Sequence, residues 1–257
     1  MQRVIAFLIF SSFLISVNGY SDEKTSKPEV VDKRYGNHIY FGPEVFLFDL
    51  NTHVKYVKVH GLKVFGGLRL RYEYLKPKTF YAGVDLFSAA SNKSFKANFR
   101  SGPHFHSNNG ITGFGNFEIR LGYTAAIEKG MLTPFLGVGG YSFANNGHSF
   151  HFREVMLYYA IGMRSLFELN RSFSLGVNFK AFRTDDTEQK FRYKSMGHIR
   201  HLKNRDDFWG GEIGLPFVWY LGNARRWNVL LEPYFLKLDF SERQNIYGTR
   251  FLFGYRF

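Results

Sequence analysis

Residues Asn245 to Phe257, NIYGTRFLFGYRF, decide the fold. One parity carries Tyr247, Thr249, Phe251, Phe253, Tyr255 and Phe257; the other carries Gly248, Arg250, Leu252, Gly254 and Arg256. A strand turns successive side chains to opposite faces. One face here is a strip of aromatics, and the other holds two arginines and two glycines. No soluble sheet leaves such a strip in water, and no dry core accepts two unpaired arginines. A barrel in lipid, apolar outside and polar inside, satisfies both faces.

The same alternation recurs along the chain in ten segments. It is expected near His38–Asp49, Gly61–Leu75, Thr79–Ala90, Thr112–Ile127, Met131–Ala144, Glu154–Phe167, Ser172–Arg183, Phe208–Leu221, Arg226–Phe240 and the closing stretch. The second is the clearest: Leu62, Val64, Leu68, Leu70, Tyr72 and Tyr74 oppose Lys63, Arg69, Arg71 and Glu73. An Arg or Lys facing the bilayer midplane costs ~2–4 kcal/mol, which sets the parity. The ninth segment slips in parity near Pro233, and a bulge is expected there. Short breaks at Lys76-Pro77-Lys78, Glu128-Lys129-Gly130, Leu169-Asn170-Arg171 and Gly222-Asn223-Ala224 alternate with longer ones. The expected fold is therefore all-β: a closed antiparallel up-and-down transmembrane β-barrel of ten strands. Both termini and the short turns would lie in the periplasm, with the long loops outside.

Composition agrees. Aromatics make up 19% of the chain, there are 26 glycines, and cysteine is absent, which excludes disulfides, Cys-zinc sites and a lipoprotein anchor. The net charge of +13 is spread along the chain with acids beside the bases. No helix-turn-helix, zinc-finger or RNP pattern accompanies it, so nucleic acid is not an expected partner. Residues 1–19 read as a cleavable signal peptide, with basic Met1-Gln2-Arg3, apolar Val4 to Val17, and Val17-Asn18-Gly19 at the cleavage site. Residues 20–37 read as a periplasmic lead-in and 38–257 as the barrel.

The aromatic spacing Phe253, Tyr255, Phe257 resembles the C-terminal signal read by the outer-membrane assembly machinery, although Leu252 stands where that signal often has Gly. Together with the signal segment, the chain from residue 38 on resembles the small outer-membrane β-barrel proteins of Gram-negative bacteria. That resemblance implies integral insertion in the outer membrane, with membrane lipid, lipopolysaccharide and the barrel-assembly machinery as partners.

On the inward parity lie eight bases, Lys63, Arg69, Arg71, Arg120, Arg164, Lys180, Arg250 and Arg256. Six acids, Glu44, Glu73, Asp85, Glu118, Glu212 and Glu232, face them. Ten strands enclose little more than side chains, so these groups are expected to pair and fill the lumen with an ion-pair and water network. A narrow channel for ions or small solutes is the alternative.

Eight of the nine histidines fall in pairs in four of the five longer extracellular breaks: His53 and His60, His104 and His106, His148 and His151, His198 and His201. Imidazole suits borderline metals and titrates near neutrality. No carboxylate–histidine spacing is diagnostic, and no cofactor is expected. His104-Phe105-His106-Ser107-Asn108 resembles the His-x-Ser-Asn stretch of outer-membrane lipid A deacylases, with His106 directly before Ser107. Asp185-Asp186 and Asp206-Asp207 flank the longest break and resemble the rim acids of the ten-stranded omptin proteases, without an Asp-x-His. An outer-leaflet enzyme is thus a further alternative. The long break from Thr184 to Asp207 is basic and aromatic, suited to phosphate and acidic sugars. The leading expectation is a non-enzymatic structural or surface-contact protein that works through basic, His-containing extracellular loops.

Overall fold

The computed structural model describes residues 36–54, 57–93, 95–99, 104–105, 110–147, 150–193, 199–202, 207–222, 225–239 and 243–257. The expected signal segment and nearly all of the lead-in lie outside them. The described chain is β throughout: β1 Gly36–Val54, β2 Val57–Leu75, β3 Thr79–Ser91, β4 Lys96–Phe99, β5 His104–Phe105, β6 Gly110–Ile127, β7 Gly130–Gly147, β8 Phe150–Asn170, β9 Phe173–Leu175, β10 Asn178–Tyr193, β11 Ile199–Leu202, β12 Trp209–Gly214, β13 Phe217–Leu221, β14 Trp227–Lys237 and β15 Arg243–Arg256.

Each barrel strand pairs antiparallel with its sequence neighbour, and β1 pairs with β15 from His38↔Arg256 to Asn51↔Arg243. The sheet therefore closes into a ring of ten strands. Two of the ten are interrupted: β9 and β10 form one strand broken at Gly176-Val177, and β12 and β13 form another broken at Leu215-Pro216. Closure leaves no edge among the barrel strands, which is what a β-structure in hydrocarbon requires.

The outside is apolar. Leu62 and Val64 are each 59% exposed and Phe41 is 53% exposed, in line with Leu121, Ile161 and Phe253 around the wall. Such a belt on a closed barrel is buried only by lipid. At the end with the short turns the belt closes in aromatic pairs: Tyr74–Phe80, Phe173–Trp219 and Trp227–Tyr255, with ring centroids 4.7–5.2 Å apart. This is the girdle expected at a membrane interface. The turn at Glu128-Lys129-Gly130 needs its glycine: φ is +157°, and a Cβ would fall 2.1 Å from the Leu166 carbonyl oxygen.

Three expectations change. The strands run farther than read: β1 and β2 have 19 residues each, against the ~9–11 that cross a bilayer. The expected loop at residues 145–153, and the first part (184–193) of the loop expected over 184–207, are largely β7, β8 and β10. Above the membrane both faces meet water or protein, so alternation fades while pairing continues. Loop residues also pair: β4 adds to β2 at Val57–His60, and β11 adds to β10 at Gln189–Arg192. Finally, no bulge occurs at Pro233. β14 pairs with β15 without a shift from Trp227 to Lys237. Both its faces are apolar because inward Leu230 and Leu236 are buried in the lumen, and this mimics a slip in parity. The register shifts that do occur lie at Thr184/Asp186 and Glu168/Asn170.

Candidate functional site: a three-layered lumen and its rim

The inward parity stacks into three layers. At mid-height lies a belt of charge. Arg69 pairs with Glu44 and Asp85, Arg71 with Asp85 at 2.9 Å and Glu232 at 3.4 Å, and Arg250 with Glu232 at 3.2 Å and Glu44 at 3.6 Å. These six groups close a ring of alternating sign. A second arc runs from Arg250 to Glu212 at 2.6 Å, Glu212 to Lys180 at 3.0 Å, Lys180 to Glu118 at 2.7 Å, then Glu118 to Arg120 and on to Asp85 at 3.7 Å. Arg164 pairs with Glu73 beside the network. The belt holds six bases and six acids, and Arg71 is only 2% exposed. A buried charge left alone is costly, so this equality is what makes the layer tolerable away from water.

Of the expected lumen residues, Lys63 and Arg256 are not brought into the belt. Their parity is inward, but Lys63 stands near the extracellular end, opposite Phe48 on β1, and Arg256 near the periplasmic end, opposite His38. Parity selects a face, whereas height along a long strand selects a layer.

Above the belt lies a layer of buried aromatics that the sequence analysis did not anticipate. Phe46, Phe48, Phe65, Phe87, Phe114, Phe143, Phe152 and Phe182 fill the extracellular half of the lumen. Phe48 meets Phe143 edge-on at 5.5 Å, and Phe46 stacks on Phe65 at 4.9 Å. Phe95, from the segment after β3, also enters this layer, within 5.7 Å of Phe48 and 5.5 Å of Phe143. Its backbone NH donates to Asn145 Oδ1 at 2.9 Å, and the Thr112 hydroxyl donates to the Lys93 carbonyl oxygen at 2.9 Å. Lys93 and Phe95 are thus both tied to the barrel wall, with the Phe95 ring inside the lumen. A signal was present in Glu44-Val45-Phe46-Leu47-Phe48: when both parities of a membrane strand are apolar, both sides are dry.

Below the belt, Tyr40, Leu75, Tyr81, Met131, Phe135, Leu166, Val218, Tyr220, Leu230 and Leu252 form a second apolar layer. Aromatic rings join the layers. The hydroxyls of Tyr158 and Tyr234 donate down to Glu118 and Glu44, and that of Tyr81 donates up to Glu73 at 3.3 Å. The Arg250 guanidinium lies 3.9 Å from the Tyr234 ring centroid, and that of Arg69 lies 4.7 Å from Phe87. The tyrosines lie flat because glycines receive them. A Cβ on Gly139 would fall 2.6 Å from the Tyr158 hydroxyl, and one on Gly248 would fall 2.6 Å from the Tyr234 ring. Among the described residues, voids of about 20 and 10 Å³ lie in the belt, each with room for about one water at most.

The rim residues are less assembled. His106, His148 and His198 lie outside the described residues, as does Ser107; of His53, His104 and His201 only the backbone is described. His60 lies on β2, and His151 on β8 with Nδ1 2.8 Å from Asn146 Oδ1. Among the described residues no three His, Cys, Asp or Glu side chains converge as a metal site would require. Asp185 is 3.5 Å from the Tyr159 hydroxyl on the outer wall, and Asp207 pairs with Arg183 at 2.7 Å. Phe253 faces outward on β15 and Phe257, just beyond it, is exposed, with Tyr255 half-buried beside Trp227.

No family model and no curated protein matches the sequence. Solved structures do match the fold. The outer membrane protease OmpT from Escherichia coli aligns over 91% of this chain and 100% of its own, with a TM-score of 0.55 and 10% identity. The translocator domain of the autotransporter NalP from Neisseria meningitidis covers 100% of this chain and 97% of its own, with a TM-score of 0.45 and 11% identity. The fold is that of the outer-membrane β-barrels.

Proposed function

We propose that this protein is a closed, non-conducting barrel of the outer membrane that works through what it holds outside the cell. In this reading residues 1–19 are a signal peptide, the short turns face the periplasm, and the β-hairpins that rise above the membrane form the working surface. One observation carries it: a neutral ion-pair belt lies between two apolar layers, and all three span the lumen. A solute would have to displace buried phenylalanines and then part charges that satisfy one another. Neither step resembles passage through a channel lined with water.

The remaining role is structural support or surface contact through basic elements such as Arg183 and Lys190 on β10 and Arg153 on β8. Lipopolysaccharide supplies the phosphates that such groups recognise. The barrel-assembly machinery is the expected partner during insertion, through the aromatic face of β15; nucleic acid is not a partner, and no cofactor enters this reading. Planar-bilayer recording tests it. The full chain is expected to give no unit conductance in molar salt, and steady single-channel steps would defeat the reading.

A further inference from the structure

The outer wall of the barrel has one face almost without side chains. On the extracellular half of β2, β3, β6 and β7, the outward residues are Gly66, Ala90, Gly113 and Ala144 in one cross-strand row. Ser88, Gly115 and Ser142 form the next row toward the periplasm. Strands ~4.8 Å apart make this a patch roughly 15 Å wide. With Gly140 it opens into a depression walled by Phe117, Val138, Leu157 and Tyr159, with Asp185 beside the Tyr159 hydroxyl. Above it Leu62, Val64 and Ile111 are still exposed and apolar, so hydrocarbon reaches this level.

The fold does not demand Gly66 or Gly113. A Cβ on Gly66 or Gly113 would meet nothing within 4 Å, and neither has a positive φ. Glycine inside a strand weakens it and often marks the close approach of something else. The row also continues into charge: Ala144 lies opposite Arg153, and Arg153 lies opposite Lys190. Arg153 is exposed, and no acid among the described residues pairs with it; Lys190 shares Glu188 at 2.6 Å. A second depression, which adjoins this face beyond Val45 and runs along Leu47, Ile213 and Phe235, lacks the floor of small residues.

We infer that this face seats a phosphorylated, acylated glycolipid of the outer leaflet. An acyl chain would lie along the small-residue floor, with a lipid phosphate held between Arg153 and Lys190. This deepens the proposed contact with lipopolysaccharide and rests on it. Charge complementarity selects this occupant: a flat face edged by two cations at headgroup height suits a lipid phosphate with its own chain.

Native mass spectrometry of the full chain, released from detergent after titration with bisphosphorylated lipid A, tests the assignment. The wild type is expected to retain lipid A, and retention should fall about tenfold in the Arg153→Ala/Lys190→Ala double variant, as the loss of charge-assisted hydrogen bonds implies. A similar fall is expected for Gly66→Leu/Gly113→Leu, which fills the floor where the backbone has room. Thr249→Leu, two strands beyond Gly66 on the far side of Val45, should match the wild type, and lipid A stripped of phosphate should bind the wild type as poorly as phosphorylated lipid A binds the arginine–lysine variant. Folding of each variant is checked by its unheated gel mobility. Equal retention by wild type and all variants would overturn the assignment but leave loop-borne lipopolysaccharide contact standing. No retention by the wild type would remove both. A wild-type dimer in analytical ultracentrifugation that Gly113→Leu splits, with lipid retention unchanged, would overturn it in favour of a second copy of the chain.

Discussion

Glu118 shows what a single lumen charge does. It accepts from Lys180, Arg120 and the Tyr158 hydroxyl together. Glu118→Ala would leave Lys180 with Glu212 and Arg120 with Asp85 at 3.7 Å, unbalance the buried belt by one charge, and should lower unfolding stability by ~3–5 kcal/mol, read as a shift in the urea midpoint in detergent. Removing Lys180 as well should cost less than the sum of the two single losses, because the pair leaves together. The Arg183–Asp207 pair, with side chains 49% and 42% exposed, lies at the other extreme, and Asp207→Asn should change stability by less than ~1 kcal/mol in the same assay. Glycines divide in the same way. Gly139→Leu drives a side chain into Tyr158 and the Phe117 carbonyl oxygen and should cost at least ~1–3 kcal/mol, whereas Gly113→Ala should be nearly silent. The belt residues were legible as lumen residues from parity alone, since Arg69, Arg71 and Glu73 alternate with Leu68, Leu70 and Tyr72. Their partners were not legible, because Arg71 meets Glu232 across 161 residues of chain.

At the scale of the element, the strand is a two-sided object whose sides change character along its length. β1 faces the lower apolar layer at Tyr40, the charge belt at Glu44 and the aromatic layer at Phe46 and Phe48, while its outer face stays apolar at Ile39, Phe41, Val45 and Leu47. Where the lumen is charged, alternation gives the strand away; where the lumen is aromatic, both parities look alike. That is why β14 seemed to slip at Pro233 when its register is continuous. Phe48→Ala opens a cavity among four rings and should cost ~3–5 kcal/mol in urea unfolding. Bilayer recordings of the same variant should stay silent, because the belt beneath is intact. Unit conductance from Phe48→Ala alone would mean that the aromatic layer is the whole of the barrier.

For the whole molecule, closure is the controlling fact. β15 lies between β14 and β1 and satisfies both. Ending the chain at Gln244 would expose two long edges at once. Such a chain should fail to give a compact, heat-modifiable band on unheated gels and should aggregate on dilution from urea. The belt is also a property of the closed ring and not of any hairpin. Its charges come from β1, β2, β3, β6, β8, β10, β12, β14 and β15, and they balance only when all are present.

From the amino-acid order alone follow the two-sidedness of the charged strands, the count of ten, the lipid-facing surface and the membership of the lumen's charges. Each of these depends on a period of two and on what hydrocarbon excludes, and both act locally. Only the tertiary structure decided that the lumen is layered, that Lys63 and Arg256 stand apart from its charges, and that a row of small residues runs into Arg153 and Lys190 on the outer wall. Height and register across strands arise when the ring closes, and closure brings together residues whose spacing along the chain carries no trace of their meeting.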